Sequence, residues 1–182
     1  MYTNEERAIK LVIKAFENQK RIKEDINLSV HSINVGYMLK DIGCSEEVVI
    51  SGFLHDIIED TEYDYEYLLK NFGKVVADNV LAVSENTNIK DWRLRKKEFL
   101  ERFEKASVDI LLIELADKLH NLVFDYDVYL RNGKEALATL NITYDMNKWY
   151  YTEMGKLFNE RINKNNKLLS RYNEICKIYF EA

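Results

Sequence analysis

The sequence predicts an all-α protein that folds as a single domain over residues 1–182, a helical bundle. Three observations support this fold class. The chain has no proline and 6 glycines among 182 residues, 31% of its residues are charged against 47% hydrophobic, and its apolar residues recur at helical spacing. Long amphipathic helices joined by short polar turns have this composition. A chain of this length is typical of one domain with a full-sized core.

The charge balance and the cysteine content narrow the classes of protein to which this chain can belong. Acidic residues outnumber basic ones by 31 to 26, whereas a general nucleic-acid binder needs a basic face. Cys44 and Cys176 do not make a disulfide framework in a chain of this size. The N-terminal residues are acidic, and no apolar run approaches ~18 residues, the length of a membrane span. We therefore expect a cytoplasmic protein with neither a nucleic-acid nor a membrane partner.

The first helix is marked by its start. Thr3 and Glu6 have the spacing of a capping box, and apolar residues follow at helical intervals, which predicts a helix to about Gln19. Residues 19–25 are too charged for the core and are expected to form a loop or a frayed helix end.

Glycines and capping residues divide the middle of the chain. Gly43 closes a second helix over residues 30–39 as a left-handed cap, and Gly73 separates two short helices. Side-chain oxygens that accept hydrogen bonds from free backbone amides open the helices that follow, at Ser45, Asp64, Asp91 and Ser107. The helix after Asp64 is expected to reach Leu69, and residues 74–83 form the next one.

The last four helices differ in character. Seven of the 26 basic residues lie between Lys90 and Lys105. This helix either presents a solvated face or forms a local patch that binds an anion. Both interpretations stay open because three glutamates are interleaved with the basic residues. The following helix is apolar, yet Asp117 lies in its middle, where an unpaired carboxylate is rare. A long helix through residues 149–151 and a last one ending near Phe180 complete the chain, with aromatic side chains that we expect in the core.

The third helix leads into the most polar stretch of an otherwise apolar segment. We expect this helix to continue through His55, Asp56, Glu59 and Asp60, so that residues four apart share a face. One interpretation is a helix end that reaches solvent. The other is a metal site, because buried carboxylates require a compensating cation.

Four residues on three different predicted helices favour the metal site. His31, His55, Asp56 and Asp117 offer two imidazoles and two carboxylates. This mixed set of ligands suits Mn²⁺, Fe²⁺, Co²⁺ or Zn²⁺ with positions left open for water.

The same residues carry a resemblance to a known family. The order H…HD…D resembles the HD-domain metal-dependent phosphohydrolases, an all-helical superfamily. The hydrolase domain of the RelA/SpoT family is more similar still, since its L-H-D-x-x-E-D-T, F-G and A-D-[KR]-L-x-N motifs match residues 54–61, 72–73 and 116–121. The resemblance covers a core of about residues 8–125, which leaves C-terminal helices over 126–182.

The resemblance implies a metal-dependent alarmone hydrolase, a guanosine-3′,5′-bis(diphosphate) 3′-pyrophosphohydrolase. It implies one divalent metal, for which we expect Mn²⁺, held by His31, His55, Asp56 and Asp117. Glu59 and Asp60 would orient and deprotonate the attacking water. The residues expected to bind the phosphorylated nucleotide are Arg21, Arg95, Lys96, Lys118 and Asn121.

The sequence also departs from the family pattern around the nucleotide. Ile22 replaces a basic residue, residues 27 and 28 replace Pro-Tyr, and Val123 replaces a further basic residue. One alternative is therefore an HD-family phosphatase of another nucleotide or phosphorylated metabolite. A non-catalytic nucleotide-binding module is disfavoured, because the ligands and the water-handling pair are intact. His120 is expected behind the ligands or at the surface, and a homo-oligomer is compatible with the resemblance.

Overall fold

The structure, a computed structural model, describes residues 2–21, 25–133 and 143–181. The predicted all-α class is confirmed, since the described residues contain helices and one isolated bridge, Lys20 to Asn27, but no sheet. The described helices are α1 (Asn4–Ala15), α2 (Ser29–Asp41), α3 (Glu46–Leu54), α4 (Ile57–Asp60), α5 (Tyr65–Phe72), α6 (Lys74–Val83), α7 (Trp92–Phe103), α8 (Val108–Asn132), α9 (Tyr144–Arg161) and α10 (Lys167–Phe180).

The predicted helix starts agree with the structure, because each capping side chain accepts a hydrogen bond from a first-turn amide. Caps of this kind are present at Thr3, Ser45, Asp64, Asp91 and Ser107. The end of α1 was predicted too late, at Gln19 instead of Ala15. The side-chain amide of Asn27 donates to the carbonyl of Phe16 at 2.8 Å and so caps the helix where it meets the next loop.

The helix predicted through residues 55–60 is broken, which corrects the sequence interpretation. α3 ends at Leu54 and the short α4 begins at Ile57. The ring Nδ1 of His55 lies 2.9 Å from the carbonyl oxygen of Gly52, the acceptor that a continuing helix would offer to the amide of Asp56. The histidine ring therefore takes the place of the next helical hydrogen bond, and the backbone turns.

Two glycines allow α2 and α3 to pack unusually close together. A Cβ atom on Gly36 would lie 2.1 Å from Cδ1 of Phe53, and one on Gly52 would lie 2.4 Å from Cδ1 of Leu39. Both neighbours are fully buried and cannot move aside. This close approach brings His31, at the start of α2, beside His55, at the end of α3.

The long helix α8 is the centre of the domain. It packs against α2, α3, α6, α9 and α10, and its buried face includes Leu111, Leu115 and Leu122. The same helix carries the polar residues Asp117 and Asn121 toward α2. Among the described residues, no helix combines the length and apolar character needed to cross a bilayer.

Candidate metal centre and its cavity

Four predicted ligands meet where α2, the α3–α4 turn and α8 converge. Nε2 of His31 lies 3.1 Å from Nε2 of His55 and 3.0 Å from Oδ1 of Asp117. Oδ2 of Asp56 lies 3.1 Å from Nε2 of His55 and 3.5 Å from Nε2 of His31. His31, His55 and Asp117 are buried, and Asp56 is partly exposed. The fold thus places two imidazole nitrogens and two carboxylate oxygens around one point.

These separations fit a divalent metal ion. Ligand atoms about 2.1 Å from an ion lie roughly 3.0 to 3.4 Å apart when they occupy neighbouring positions around it. The Nε2 and carboxylate oxygen separations, 3.0 to 3.5 Å, fall in the same range. Two nitrogen lone pairs and two carboxylates this close repel one another, and a shared cation removes the repulsion. The residues present therefore suit a divalent ion.

The charges around the centre show how strongly it attracts a cation. Burial opposes the charged form of His55, but Asp56 and Asp117 outweigh it and hold the pKa of His55 well above its ordinary value. Burial likewise opposes the charged form of Asp117, yet Lys118 and the two histidines hold the pKa of Asp117 well below its ordinary value. The carboxylates therefore favour a positive charge at this point, which a divalent ion would supply.

Helix α8 supports Asp117 with its neighbouring side chains. The side-chain amide of Asn121 donates to Oδ1 of Asp117 at 2.6 Å, and Nζ of Lys118 lies 2.6 Å from Oδ2. Lys118 also lies 3.0 Å from Glu114, which is 2% exposed. Burial raises the pKa of Glu114 to about 7, although Lys118 acts in the opposite direction. Asp117 is therefore held at both oxygens before any ion binds.

A cavity of about 510 Å³ opens directly onto the metal centre. His31, Asp56 and Asp60 lie at its floor side, and basic side chains contribute to its walls. The predicted nucleotide-binding residues that line it are Arg21, Lys96, Lys118 and Asn121. The cavity therefore combines metal ligands, a carboxylate and several cations in one space large enough for a small molecule.

Arg95 is the predicted substrate-binding residue that the structure does not bring to this cavity. Its Nε donates to Oε2 of Glu85 at 2.9 Å, and its Nη1 donates to the carbonyl of Ile89 at 3.0 Å. Lys96, the next residue, also pairs with Glu85 but lines the cavity. Consecutive helical residues point about 100° apart, so the basic run on α7 divides between a structural face and a cavity face.

The two predicted water-handling carboxylates also lie in different surroundings. Asp60 lines the main cavity, and burial with the charges of Asp56 and Glu59 raises its pKa to about 7. Glu59 lines a separate cavity of about 350 Å³, and its Oε2 accepts a hydrogen bond from the amide of Glu85 at 2.9 Å. The two residues are consecutive on α4, and consecutive helical residues point about 100° apart, so they face different cavities.

Comparison with known proteins identifies the family. A family model described as HD domain matches residues 8–139, well over half of the sequence. The chain belongs to the HD domain family. The predicted resemblance to the RelA/SpoT type is confirmed by the names of its relatives.

Curated relatives of this HD domain are similar over part of their length. A probable GTP diphosphokinase RSH2, chloroplastic, from Arabidopsis thaliana is 33% identical over 119 residues, 60% of this chain. A GTP pyrophosphokinase from Streptomyces coelicolor is 32% identical over 141 residues, 75% of this chain. A guanosine-3′,5′-bis(diphosphate) 3′-pyrophosphohydrolase from Haemophilus influenzae is 35% identical over 98 residues, 50% of this chain. The matched region spans only 17%, 16% and 14% of these relatives.

Two solved structures share the fold along most of the chain. The protein lmo0812 from Listeria monocytogenes EGD-e is 28% identical with a TM-score of 0.74, and the match covers 84% of this chain and 94% of that one. A metazoan protein described as an ortholog of SpoT that hydrolyzes ppGpp has a TM-score of 0.81 at 24% identity, covering 100% of this chain and 98% of that one. The second match supports the fold of this HD domain, including α9 and α10.

Aromatic side chains that we expected in the core also form a wall of the cavity. Tyr150 and Tyr151 are buried, as expected, but both line the cavity together with Trp92 and Phe124. Nζ of Lys96 lies 4.5 Å from the ring centroid of Tyr150, within range of a cation–π contact. Sequence reasoning missed this role because helical spacing alone does not distinguish a core aromatic from one beside a cavity.

His120 lies behind the metal ligands, as the sequence suggested. Its Nδ1 is 2.9 Å from Nδ1 of His31 and 3.2 Å from Nη1 of Arg21. Burial, His31 and Arg21 lower the pKa of His120 to about 4, which leaves the ring neutral at physiological pH. The predicted ligand His31 thus contacts His55 through one ring nitrogen and His120 of α8 through the other.

Proposed function

We propose that this HD domain is a metal-dependent pyrophosphohydrolase that removes the 3′-pyrophosphate of ppGpp or a closely related nucleotide, with Mn²⁺ as its metal. The observation that carries the proposal is that the cluster of His31, His55, Asp56 and Asp117 reaches, through His31 and Asp56, a cavity that is also lined by basic side chains. Phosphoryl groups carry several negative charges, and a hydrolase must hold them beside its metal. The names of the relatives support the same nucleotide class.

The roles of the side chains follow from their positions. When bound, a divalent ion would polarise a phosphoryl oxygen and lower the pKa of water, so that a hydroxide nucleophile is available near neutral pH. Asp60 lies in the cavity wall next to Asp56 and accepts the proton of that water. Its raised pKa comes partly from the charge of Asp56, and a cation at the ligands counteracts this effect. A bound cation therefore favours the ionised form of Asp60, the form that can act as a base.

Two lysines are positioned to hold the phosphate groups. Lys96 and Lys118 reach the cavity from α7 and α8, and the charge of Lys96 is shared with Glu85. Burial and the nearby charge of Lys118 lower the pKa of Lys96, although Glu85 opposes the shift. A bound phosphate places negative charge next to both lysines and so stabilises their protonated forms. Protonated lysines in turn bind the phosphate more tightly.

Arg21 and Asn121 also line the cavity, and we assign them to contact the nucleoside. The Arg21 guanidinium lies 3.8 Å from the ring centroid of Phe124, and its Nη2 donates to Oδ1 of Asn121 at 2.8 Å. A planar guanidinium stacks on aromatic rings, and a nucleobase is such a ring. In the proposal these two residues contact the nucleoside and the two lysines contact the phosphate groups.

A second candidate is the hydrolysis of another nucleotide or phosphorylated metabolite. A side cavity of about 300 Å³ beside Arg21 is lined by Ile26, Val30 and Val123, which are partly exposed apolar residues. Ile22, which departs from the family pattern, lies outside the described residues. Apolar side chains discriminate between nucleobases less strongly than hydrogen-bonding groups do. This observation favours a hydrolase with broader base preference, acting through the same metal centre.

A panel of phosphorylated nucleotides and metabolites, assayed with Mn²⁺ and separated by ion exchange, tests the proposal. We expect ppGpp to yield GDP and pyrophosphate, with the His55→Ala variant inactive as the matched control. Turnover of other phosphate esters without turnover of ppGpp would establish the second candidate. If the metal-loaded protein bound nucleotides but hydrolysed none, it would be a binding module and the proposed function would be wrong.

A further inference from the structure

A chain of hydrogen-bonding groups runs from Arg21 to the metal ligand His31. Nη1 of Arg21 lies 3.2 Å from Nδ1 of His120, and the same Nδ1 lies 2.9 Å from Nδ1 of His31. The Nε2 atom of His31 faces the opposite way, toward His55 and Asp117. His120 therefore separates a guanidinium from a metal ligand and touches both through one ring nitrogen.

The direction of this chain follows from what each group can donate. A guanidinium carries only donors and does not lose its proton in a protein. The Nδ1 atom of His120 must then be an acceptor, without a proton. Because that nitrogen is an acceptor, Nδ1 of His31 must be the donor in their contact. His31 therefore carries a proton on Nδ1, and Nε2, the nitrogen that faces the other ligands, is the one left to bind a metal.

We propose that His120, oriented by Arg21, is a positioning residue that holds His31 in the Nδ1–H tautomer required for binding metal through Nε2. The inference deepens the proposed function, since it concerns the same metal centre. Ligating histidines usually donate their second ring nitrogen to a carbonyl or a carboxylate. Here a neutral histidine takes that position, and it can accept only because a cation lies behind it.

The other ligands on this side are fixed in a comparable way. Nδ1 of His55 faces the carbonyl of Gly52 at 2.9 Å, and a carbonyl can only accept, so Nδ1 carries a proton and Nε2 is the nitrogen turned toward the other ligands. Arg21 donates through Nη2 to Oδ1 of Asn121, which turns the amide nitrogen of Asn121 toward Asp117. Arg21 thus determines the hydrogen-bond direction at two ligands on two different helices, through His120 and through Asn121.

Nitrogen-15 NMR of the metal-free protein tests the proposal directly. The chain has three histidines, so its long-range ¹H–¹⁵N spectrum contains six ring nitrogens. Near pH 7.5 we expect His31 protonated at Nδ1 and His120 protonated at Nε2, with Nδ1 of His120 showing the shift of an unprotonated acceptor. A His31 ring protonated only at Nε2, or a His120 ring protonated at Nδ1, would overturn the inference.

Paired variants of His120 provide a second readout. Asparagine places its amide oxygen where Nδ1 of histidine lies and can accept from Arg21 and His31, whereas leucine of similar bulk cannot accept. We expect His120→Leu to weaken Mn²⁺ binding by about 10- to 100-fold in calorimetric titrations, and His120→Asn to stay close to wild type. Equal affinities for the leucine and asparagine variants would overturn the positioning role. Loss of Mn²⁺ binding by the wild type itself would instead contradict the proposed function.

Discussion

At the scale of single residues, two adjacent carboxylates have different surroundings. Asp60 lines the cavity of the metal centre, while Glu59 lines another cavity and is tied to the amide of Glu85. A general base must reach the proton that it removes, and only Asp60 lies in the cavity where the water would be bound. Glu59 instead connects α4 to the loop between α6 and α7.

We predict that Asp60→Asn lowers kcat by about 10²- to 10⁴-fold while Mn²⁺ still binds, because asparagine cannot accept a proton. Glu59→Gln, the matched control, should lose much less activity, because Gln retains an oxygen that can accept from the Glu85 amide. Steady-state kinetics and calorimetric titration with Mn²⁺ measure both effects. A larger loss in Glu59→Gln than in Asp60→Asn would assign the base to Glu59.

Lys96 and Arg95 offer a second matched pair, since both contact Glu85 but only Lys96 lines the cavity. We predict that Lys96→Met raises KM by roughly 10- to 100-fold with a smaller effect on kcat, as expected for one charged hydrogen bond to a phosphate. Arg95→Met should leave KM unchanged, while both variants lose some thermal stability. A rise in KM for Arg95→Met alone would place the substrate on the other face of α7.

The residues that could be predicted from sequence are those with an unusual chemical setting. Asp117 stood out because a carboxylate lies in the middle of an apolar helix, and the structure brings it within 3.0 Å of His31. Arg95 and Lys96 could not be told apart, because a run of basic residues does not show which one faces a cavity. Tyr150 and Tyr151 were missed for a similar reason, since a buried aromatic can have one face on the core and the other on a ligand site.

At the scale of elements, the distance between α2 and α3 determines the metal centre. His31 and His55 belong to different helices, and their Nε2 atoms lie 3.1 Å apart because glycines at positions 36 and 52 let the backbones approach. The sequence identified the helices and their caps but did not show this contact. It also did not show the turn at His55, where a ring nitrogen replaces a helical hydrogen bond. Pattern reasoning detects helix starts well, whereas a side-chain interaction that ends a helix leaves no periodic signal.

We predict that Gly36→Ala weakens both the fold and the metal centre. Its Cβ would lie 2.1 Å from the Phe53 ring, so the helices must separate, at a cost of about 1–3 kcal/mol of unfolding free energy. Separation moves His31 away from His55 and lowers Mn²⁺ affinity. Gly155→Ala in α9, where the nearest atom would lie 3.2 Å away, is the control and should keep wild-type affinity. Urea unfolding and calorimetry give the two quantities, and unchanged affinity in Gly36→Ala would contradict the argument.

At the scale of the whole molecule, the metal centre joins α2, the α3–α4 turn and α8, so metal binding should stabilise the entire domain. An ion that binds only the folded state at 100 times its Kd adds about 2.7 kcal/mol. For a chain of this size we predict a rise in Tm of about 5–11 °C with Mn²⁺, reversed by EDTA. Asp117→Asn lacks a ligand charge and should show no such rise. An equal rise in wild type and Asp117→Asn would mean that the ion binds elsewhere.

The stability of the metal-free domain depends on pH through the buried carboxyl group of Glu114. Burial raises the pKa of its carboxyl from 4.5 to about 7 in the folded protein, and in the unfolded chain the pKa returns to the ordinary value. Between these two values the folded state holds more protons than the unfolded state. The contribution of Glu114 to the unfolding free energy is therefore at its maximum below pH 4.5. It declines as the pH rises from 4.5 through 7.

We predict that Glu114→Gln, which cannot ionise, becomes increasingly more stable than wild type as the pH rises through this window. The difference should be near zero at pH 4.5 and reach on the order of 3 kcal/mol at pH 8. Asp60, His55 and His120 titrate in both proteins, so their contributions cancel in the difference. Urea unfolding with EDTA across the pH range measures it. A flat difference for Glu114→Gln would show that Lys118 keeps this buried carboxyl ionised.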